Sequence, residues 1–315
     1  MGNINRRTFL KFSVIAATLG AAPSAKSQEN FSGWPERYGM LTDTTLCIGL
    51  NCRKCEEACK KVNNLSRKNL NLSDNSVFEH KRRTDPENYT VVNRFPNPNK
   101  PETPYYVKKQ CMHCDEPACA SACLVKAFKK TPEGPVIYNK DVCIGCRYCM
   151  VACPFGIPSY DYFDAYTPQV RKCTMCYDRI QQGKIPACAE ICPQEAITFG
   201  KRKDLIALAR ERIRSHPERY HPHIFGEEEA GGTSWLYLTG LDSVQLGFPN
   251  ALAKTAYPEL TRGFLSAVPL VLTIWPVLLV GLYKFSQSRQ VKESPESTQN
   301  SVEESHAGSN GKPDN

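Results

Sequence analysis

Sixteen cysteines stand in four quartets, with none left over. They are Cys47, Cys52, Cys55, Cys59; Cys111, Cys114, Cys119, Cys123; Cys143, Cys146, Cys149, Cys153; and Cys173, Cys176, Cys188, Cys192. Every quartet ends in C-x3-C. The third, Cys143-Ile-Gly-Cys-Arg-Tyr-Cys-Met-Val-Ala-Cys-Pro154, reads C-x2-C-x2-C-x3-C-P. Three thiolates at this pitch wrap one corner of a cubane, and the fourth, carried off on a helix, ligates a neighbouring cluster. Such a motif implies a partner motif, and this chain supplies three more.

Other uses of cysteine fit less well. Zinc prefers two separated C-x2-C knuckles, which suits only a paired reading of the last quartet. Disulfides suit an exported chain, but cysteines this close in a tight loop rarely have the geometry to bridge. Covalent haem needs C-x-x-C-H, which is absent. The motif chemistry therefore implies four 4Fe–4S clusters.

The formal net charge is +8. The bases form no dense, aromatic-interleaved stripe, so no nucleic-acid partner is expected. An oxidised core of charge +2 held by four thiolates carries −2, so four clusters carry about −8. Bases near the thiolates, such as Lys108, Lys109, Arg147, Arg171 and Lys172, offset that charge and help keep reduced states accessible.

Residues 1–27 read as a targeting segment rather than fold. Asn5-Arg-Arg-Thr-Phe-Leu-Lys11 resembles the twin-arginine export motif, and the apolar stretch Phe12 to Ala22 follows it. Clusters are assembled in the cytoplasm, so a chain holding four must cross the membrane already folded. Loss of Arg6, Arg7, Lys11 and Lys26 with the signal leaves +4, from 8 − 4.

Residues 28–250 read as the cluster domain. A strand is expected from Tyr38 to Leu46. The first quartet has a four-residue first gap, Ile-Gly-Leu-Asn, whose extra pair must loop out. Residues 60–104 read as a long polar surface loop with one strand near Tyr89 to Arg94. Tyr105 to Lys109 enters the second quartet as a strand. Hairpins are expected over Ala127 to Tyr138 and over Tyr160 to Lys172, and Ala196 to Phe199 as a strand. Asp204 is expected to cap a helix running to Ser215, with Leu205, Leu208, Ala209 and Ile213 on one face. His221 and His223 flank a proline, which favours a pinned turn over metal ligation. Gly231 to Thr239 reads as a strand packing back on the core.

Residues 251–262 read as a linker. Gly263 to Tyr283 is a run of twenty-one residues without charge, long enough to span a bilayer. Lys284, Arg289 and Lys292 follow it, so the positive-inside rule places the tail in the cytoplasm and the cluster domain on the periplasmic side. Residues 284–315 are polar and expected to be disordered. Pro269 and Pro276 fall inside the span. No Ser/His/Asp set and no Gly-rich nucleotide loop is visible, so no catalytic residue is expected.

The four quartets, the twin-arginine motif, Gln110-Cys-Met-His-Cys114, Cys146-Arg-Tyr-Cys-Met-Val-Ala-Cys-Pro154 and the C-terminal apolar span together resemble one family. It is the four-cluster ferredoxin-type electron-transfer subunit of respiratory oxidoreductases. The nearest likeness is to HybA-like iron–sulfur subunits of hydrogenase-2 type, with formate dehydrogenase beta subunits second.

The resemblance implies an α+β fold of two pseudo-symmetric ferredoxin-like halves with loop insertions, plus one C-terminal transmembrane helix. It pairs the first quartet with the fourth and the second with the third. It implies one cluster on Cys47, Cys52, Cys55 and Cys192, and another on Cys173, Cys176, Cys188 and Cys59. A third falls on Cys111, Cys114, Cys119 and Cys153, and a fourth on Cys143, Cys146, Cys149 and Cys123. The implied partners are a catalytic subunit, either a NiFe hydrogenase small/large pair or a molybdopterin subunit, and a polytopic quinone-interacting membrane subunit. A chain that itself reduces quinone is the alternative.

Overall fold

The computed structural model describes residues 35–65, 71–164, 166–167 and 169–290. The expected export signal over 1–27 and most of the expected polar tail, 291–315, lie outside the described residues. The described residues divide into two compact units, one up to Thr261 and one from Arg262 onward.

In chain order the first unit runs β1 (Tyr38–Asp43), α1 (Lys54–Val62), β2 (Val91–Phe95), β3 (Tyr105–Lys109), α2 (Ala118–Ser121), β4 (Phe128–Lys130), β5 (Val136–Tyr138), α3 (Tyr148–Ala152), β6 (Ser159–Tyr160), β7 (Val170–Arg171), α4 (Tyr177–Gln181), α5 (Ala187–Glu190), β8 (Ile197–Lys201), α6 (Arg202–Ser215), β9 (Ile224–Phe225) and β10 (Trp235–Leu238). Helix α7 (Tyr257–Gln290) starts in this unit and forms the described part of the second.

One four-stranded sheet, in the order β8-β1-β10-β9, anchors the first unit. β1 pairs parallel with β10 and antiparallel with β8. Side chains alternate across a strand, and here both faces are covered. Leu41, Leu236 and Leu238 pack on one face against Leu205 and Ala209 of α6, with Tyr220 and Ile224. Met40, Trp235 and Tyr237 point the other way, into the core that holds the cysteines. Three two-stranded pieces, β2-β3, β4-β5 and β6-β7, complete the strands. The last is shorter than expected, with two residues on each side.

The cysteine loops meet in two pairs. α1, which follows the first quartet's opening loop, packs on α5 within the fourth. α2 of the second quartet packs on α3 of the third.

Four expectations change. α6 begins at Arg202, so Asp204 lies in its first turn and caps nothing; it still complements the positive end of the helix dipole. Leu208 is 36 % exposed and leaves the apolar face, where Leu205 and Ala209 do the packing one turn apart.

Residues 60–104 are also more than a surface loop. Glu56 on α1, 1 % exposed, accepts both guanidinium nitrogens of Arg82, at 3.1 and 2.5 Å, and the Val92 amide at 2.6 Å. A two-pronged arginine–carboxylate pair fixes geometry as well as energy, so the insertion is clamped to the first quartet's helix.

α7 extends the apolar span at both ends. It begins inside the expected linker, at Tyr257, and its helical turns continue through residues 284–290 of the expected disordered tail. Its 32-residue stretch Tyr257–Ser288 has a mean hydropathy of 2.2 in its most apolar window. At 1.5 Å per residue that is about 48 Å, more than the roughly 30 Å hydrocarbon layer requires. Pro269 and Pro276 lie inside it. Having no N–H, they leave the carbonyls of Leu265 and Leu272 without their usual donor.

Candidate metal centres

Each quartet opens with the same local device. The first cysteine's sulfur accepts the amide of the residue two further on: His113 to Cys111 at 3.4 Å, Gly145 to Cys143 at 3.5 Å, and Met175 to Cys173 at 3.3 Å. Gly49 does the same for Cys47. The longer gap in the first quartet therefore leaves its entry unchanged. Gly49 has φ +50, and a side chain there would collide with the Tyr106 ring at 1.9 Å, so glycine is required on both counts. Arg53, His113, Arg147 and Cys176 also take positive φ, which curls the backbone around the space between the thiols.

The thiols gather in four sets. Cys47 has Cys192 and Cys52 as electrostatic neighbours, and Cys55 has Cys47. One cavity is lined by Cys47, Cys52, Cys55 and Cys192 together; this is site A. Cys59 neighbours Cys173, Cys188 and Cys176, making site B. Cys114 neighbours Cys111, Cys153 and Cys119, making site C. Cys149 neighbours Cys123, Cys143 and Cys146, making site D. In each set three thiols come from one quartet and one from the quartet paired with it.

Sites A to D form a single file. Cys55 of A neighbours Cys188 of B, Cys173 of B neighbours Cys111 of C, and Cys119 of C neighbours Cys149 of D. The file's ends reach the surface. Of the sixteen cysteines only Cys146, in D, is exposed. Around D the apolar side chains of Leu124, Ile144, Tyr148 and Val151 are more than half exposed, and around A those of Ile48 and Leu50 are about half exposed.

The residues fit 4Fe–4S clusters by four tests. First, each set is all thiol. Second, burial pushes the Cys47, Cys119 and Cys173 thiols up to about 12, and Cys149 to about 11. Buried thiols stay protonated until a metal displaces the proton, so binding and deprotonation are coupled.

Third, among the described residues no three Cys, His, Asp or Glu side chains converge on a single ion. Tetrahedral zinc at Zn–S of about 2.3 Å would hold its sulfurs roughly 3.8 Å apart. Fourth, unmatched positive or donor groups are buried beside the cysteines in the chain. His113 is wholly buried, its Nδ1 accepts the Val136 amide at 2.8 Å, and its Nε2 has no protein partner. A buried N–H without an acceptor costs about 1–3 kcal/mol, which a sulfide acceptor would remove.

Lys108 and Lys172 are buried ammoniums with no carboxylate in ion-pair range among the described residues. Lys172 donates to the carbonyls of Val136 and Cys173, at 2.5 and 3.0 Å. Burial alone pushes the Lys108 ammonium's pKa down, but Cys188, Cys55 and Cys173 pull it up further, and the net direction is upward.

The remaining expected bases lie at other depths. Lys109 is half-buried and held below the ordinary lysine range by burial and then by Arg83. Arg171 pairs with Asp161 at 3.5 Å. Arg147 stands over the Tyr160 and Tyr162 rings.

Sequence reasoning missed several supports. Asp115, one residue after Cys114, is buried and takes Arg37 at 2.6 Å and Lys130 at 3.5 Å. Gln110, Trp235 and Tyr237 surround Lys108. Only the Gln110-Cys-Met-His-Cys114 string carried a local signal for any of these. His221 donates its amide to Thr239, and His223 pairs with Glu229 at 2.5 Å, in keeping with the pinned turn.

Comparison with known proteins agrees with the cofactor chemistry. The 4Fe-4S dicluster domain matches residues 46–127 and again residues 103–202. Between them these stretches hold all sixteen cysteines, and the chain carries four 4Fe–4S clusters. A protein of Nitratidesulfovibrio vulgaris strain Hildenborough is 47 % identical over 96 % of this chain and 84 % of its own length. The hydrogenase-2 operon protein HybA of Escherichia coli O157:H7 is 37 % identical over 78 % of this chain and 84 % of its own. The iron–sulfur subunit of the nitrate-inducible formate dehydrogenase of Escherichia coli strain K12 is 32 % identical over 71 % of this chain and 74 % of its own. The chain belongs to the family of four-cluster, ferredoxin-type iron–sulfur electron-transfer subunits of respiratory oxidoreductases that includes HybA.

Proposed function

We propose that the chain carries electrons between a NiFe hydrogenase catalytic pair on the periplasmic side and a polytopic quinone-reactive subunit in the membrane. The observation that carries this reading is the single file A-B-C-D with exposed apolar side chains at both ends. A file open at one end only would suit storage or sensing. A file open at both suits passage between two docked partners.

The ligand sets proposed are Cys47, Cys52, Cys55 and Cys192 at A; Cys59, Cys173, Cys176 and Cys188 at B; Cys111, Cys114, Cys119 and Cys153 at C; and Cys123, Cys143, Cys146 and Cys149 at D. A bound 4Fe–4S cluster supplies a one-electron carrier whose potential depends on hydrogen bonds to sulfur, net charge and exposure. The chain's own work is to set those three quantities. The amides of Gly49, His113, Gly145 and Met175 donate to sulfur, Lys108 and Lys172 supply charge, and the cores around β1 and β10 exclude water.

The identity and coverage of the HybA relative support the hydrogenase assignment. Purification of the intact complex from membranes in mild detergent tests it. A hydrogenase pair and a polytopic subunit are expected alongside this chain. A molybdopterin subunit in their place would move the reading to the formate dehydrogenase type, and a chain that purifies alone and turns over quinone would overturn it.

Helix α7 is proposed as a membrane anchor with its C-terminal end in the cytoplasm, supported by Lys284 and Arg289 after the apolar run. Export is proposed to use the twin-arginine route. Arg6→Lys with Arg7→Lys should leave cluster-loaded protein in the cytoplasm, as read by fractionation and absorbance; normal export of that variant would rule the route out.

A further inference from the structure

Lys108 ends in an unusual place for an ammonium. It is 2 % exposed. Its Nζ donates to Gln110 Oε1 at 3.0 Å and lies 4.3 Å from the centre of the Trp235 ring. Gln110 in turn donates through Nε2 to the Tyr237 hydroxyl at 2.6 Å, and that hydroxyl donates to the Lys108 carbonyl at 2.6 Å. The loop closes on itself, so the ammonium has one position. None of these partners is negative. An isolated buried charge is strongly disfavoured unless an opposite charge lies close by.

Among the described residues the negative groups it can face are thiolates, and they belong to two sites. Lys108 lines the site A cavity with Cys47, Cys52, Cys55 and Cys192. It is also an electrostatic neighbour of Cys59, Cys173, Cys176 and Cys188, the whole of B. At C, Cys119 has Lys172 as its basic neighbour instead.

We infer that Lys108 is the shared counter-ion of the clusters at A and B, a positioning residue that raises the reduction potentials of those two together and holds them close to one another. The inference rests on the ligand sets proposed above. Each reduction adds one negative charge to a cluster, and a fixed cation in a dry site stabilises the more negative state. One ammonium between two clusters does this for both. Gln110, Trp235 and Tyr237 hold it there without adding a carboxylate that would cancel it.

Equilibrium redox titration of the purified full-length protein, with dye mediators and followed by electron paramagnetic resonance, tests this without any partner subunit. Lys108→Met should shift two of the four clusters to lower potential, with a smaller shift at a third and none at the last. Lys108→Arg, which keeps the charge, should restore the wild-type order. Gln110→Leu, which keeps the cation but removes the hydrogen bond that fixes it, should lower the same two potentials by less than Lys108→Met does.

Four unmoved potentials in Lys108→Met, or four equal shifts, would overturn the inference. If Lys108→Met loads only two clusters, the arginine variant decides. Four clusters at wild-type potentials support the charge, and the same two lost again refute it. Because no catalytic or quinone subunit takes part, failure of the hydrogenase assignment would leave this result standing.

Discussion

Cys153→Ala is expected to remove the cluster at site C and to spare the one held by its own loop. Cys153 closes the third quartet in sequence, yet its thiol lies with Cys111 and Cys114 of the second. α3 carries it away from Cys143, Cys146 and Cys149 and against α2. Loss of one ligand from four leaves a buried, incomplete thiol set, so iron should fall from about sixteen to about twelve atoms per chain. The resonance of a single cluster should disappear. The reciprocal variant, Cys123→Ala, should remove the cluster at D instead. Loss of the Cys143, Cys146 and Cys149 cluster in the Cys153 variant would show that each quartet closes on itself.

Truncation after Arg262 is expected to release the protein from the membrane with all four clusters intact. Every cysteine precedes the cut, and the cores around β1, β10 and the thiols are built from residues up to Tyr257. Metal coordination itself contributes to folding. The removed segment carries the apolar run. Tethering to the bilayer makes the encounter with a membrane partner effectively intramolecular, and loss of a tether commonly costs a hundredfold or more in effective concentration.

Quinone reduction in membranes should therefore fall by about tenfold or more while dye reduction by the soluble fragment continues. Fractionation, iron content and quinone assays check the three parts separately. Cluster loss on truncation would make α7 part of the fold.

How much of this was legible beforehand depends on the range of the interaction. Cysteine spacing is a local signal, and it implied the clusters and the strands that feed each loop. The apolar run of α7 is also local, although its ends were not. Helix turns continue past Gly263 and Tyr283 because Tyr257 to Arg262 and Lys284 to Gln290 contain no breaker after Pro258, itself at a first-turn position.

The sheet was not legible as a sheet. β1 pairs with β10 nearly two hundred residues on, Met40 opposite Trp235, and nothing in either segment names the other. The network around Lys108 fails for the same reason: Gln110 and Tyr237 are 127 residues apart. Nothing in the sequence around Glu56 marks it for burial. Its burial depends on Arg82 and the Val92 amide, which lie in a stretch with no periodicity of its own.

If one file of clusters joins the two partners, a break in its middle should separate entry from exit. The direct measurement is donor-driven electron flow in membranes holding the complex with Cys153→Ala, which interrupts C between B and D. Donor-dependent reduction of a dye by the catalytic subunit should persist near the wild-type rate, while donor-dependent quinone reduction should fall to background. Quinone reduction at the wild-type rate with the cluster at C absent would contradict the file.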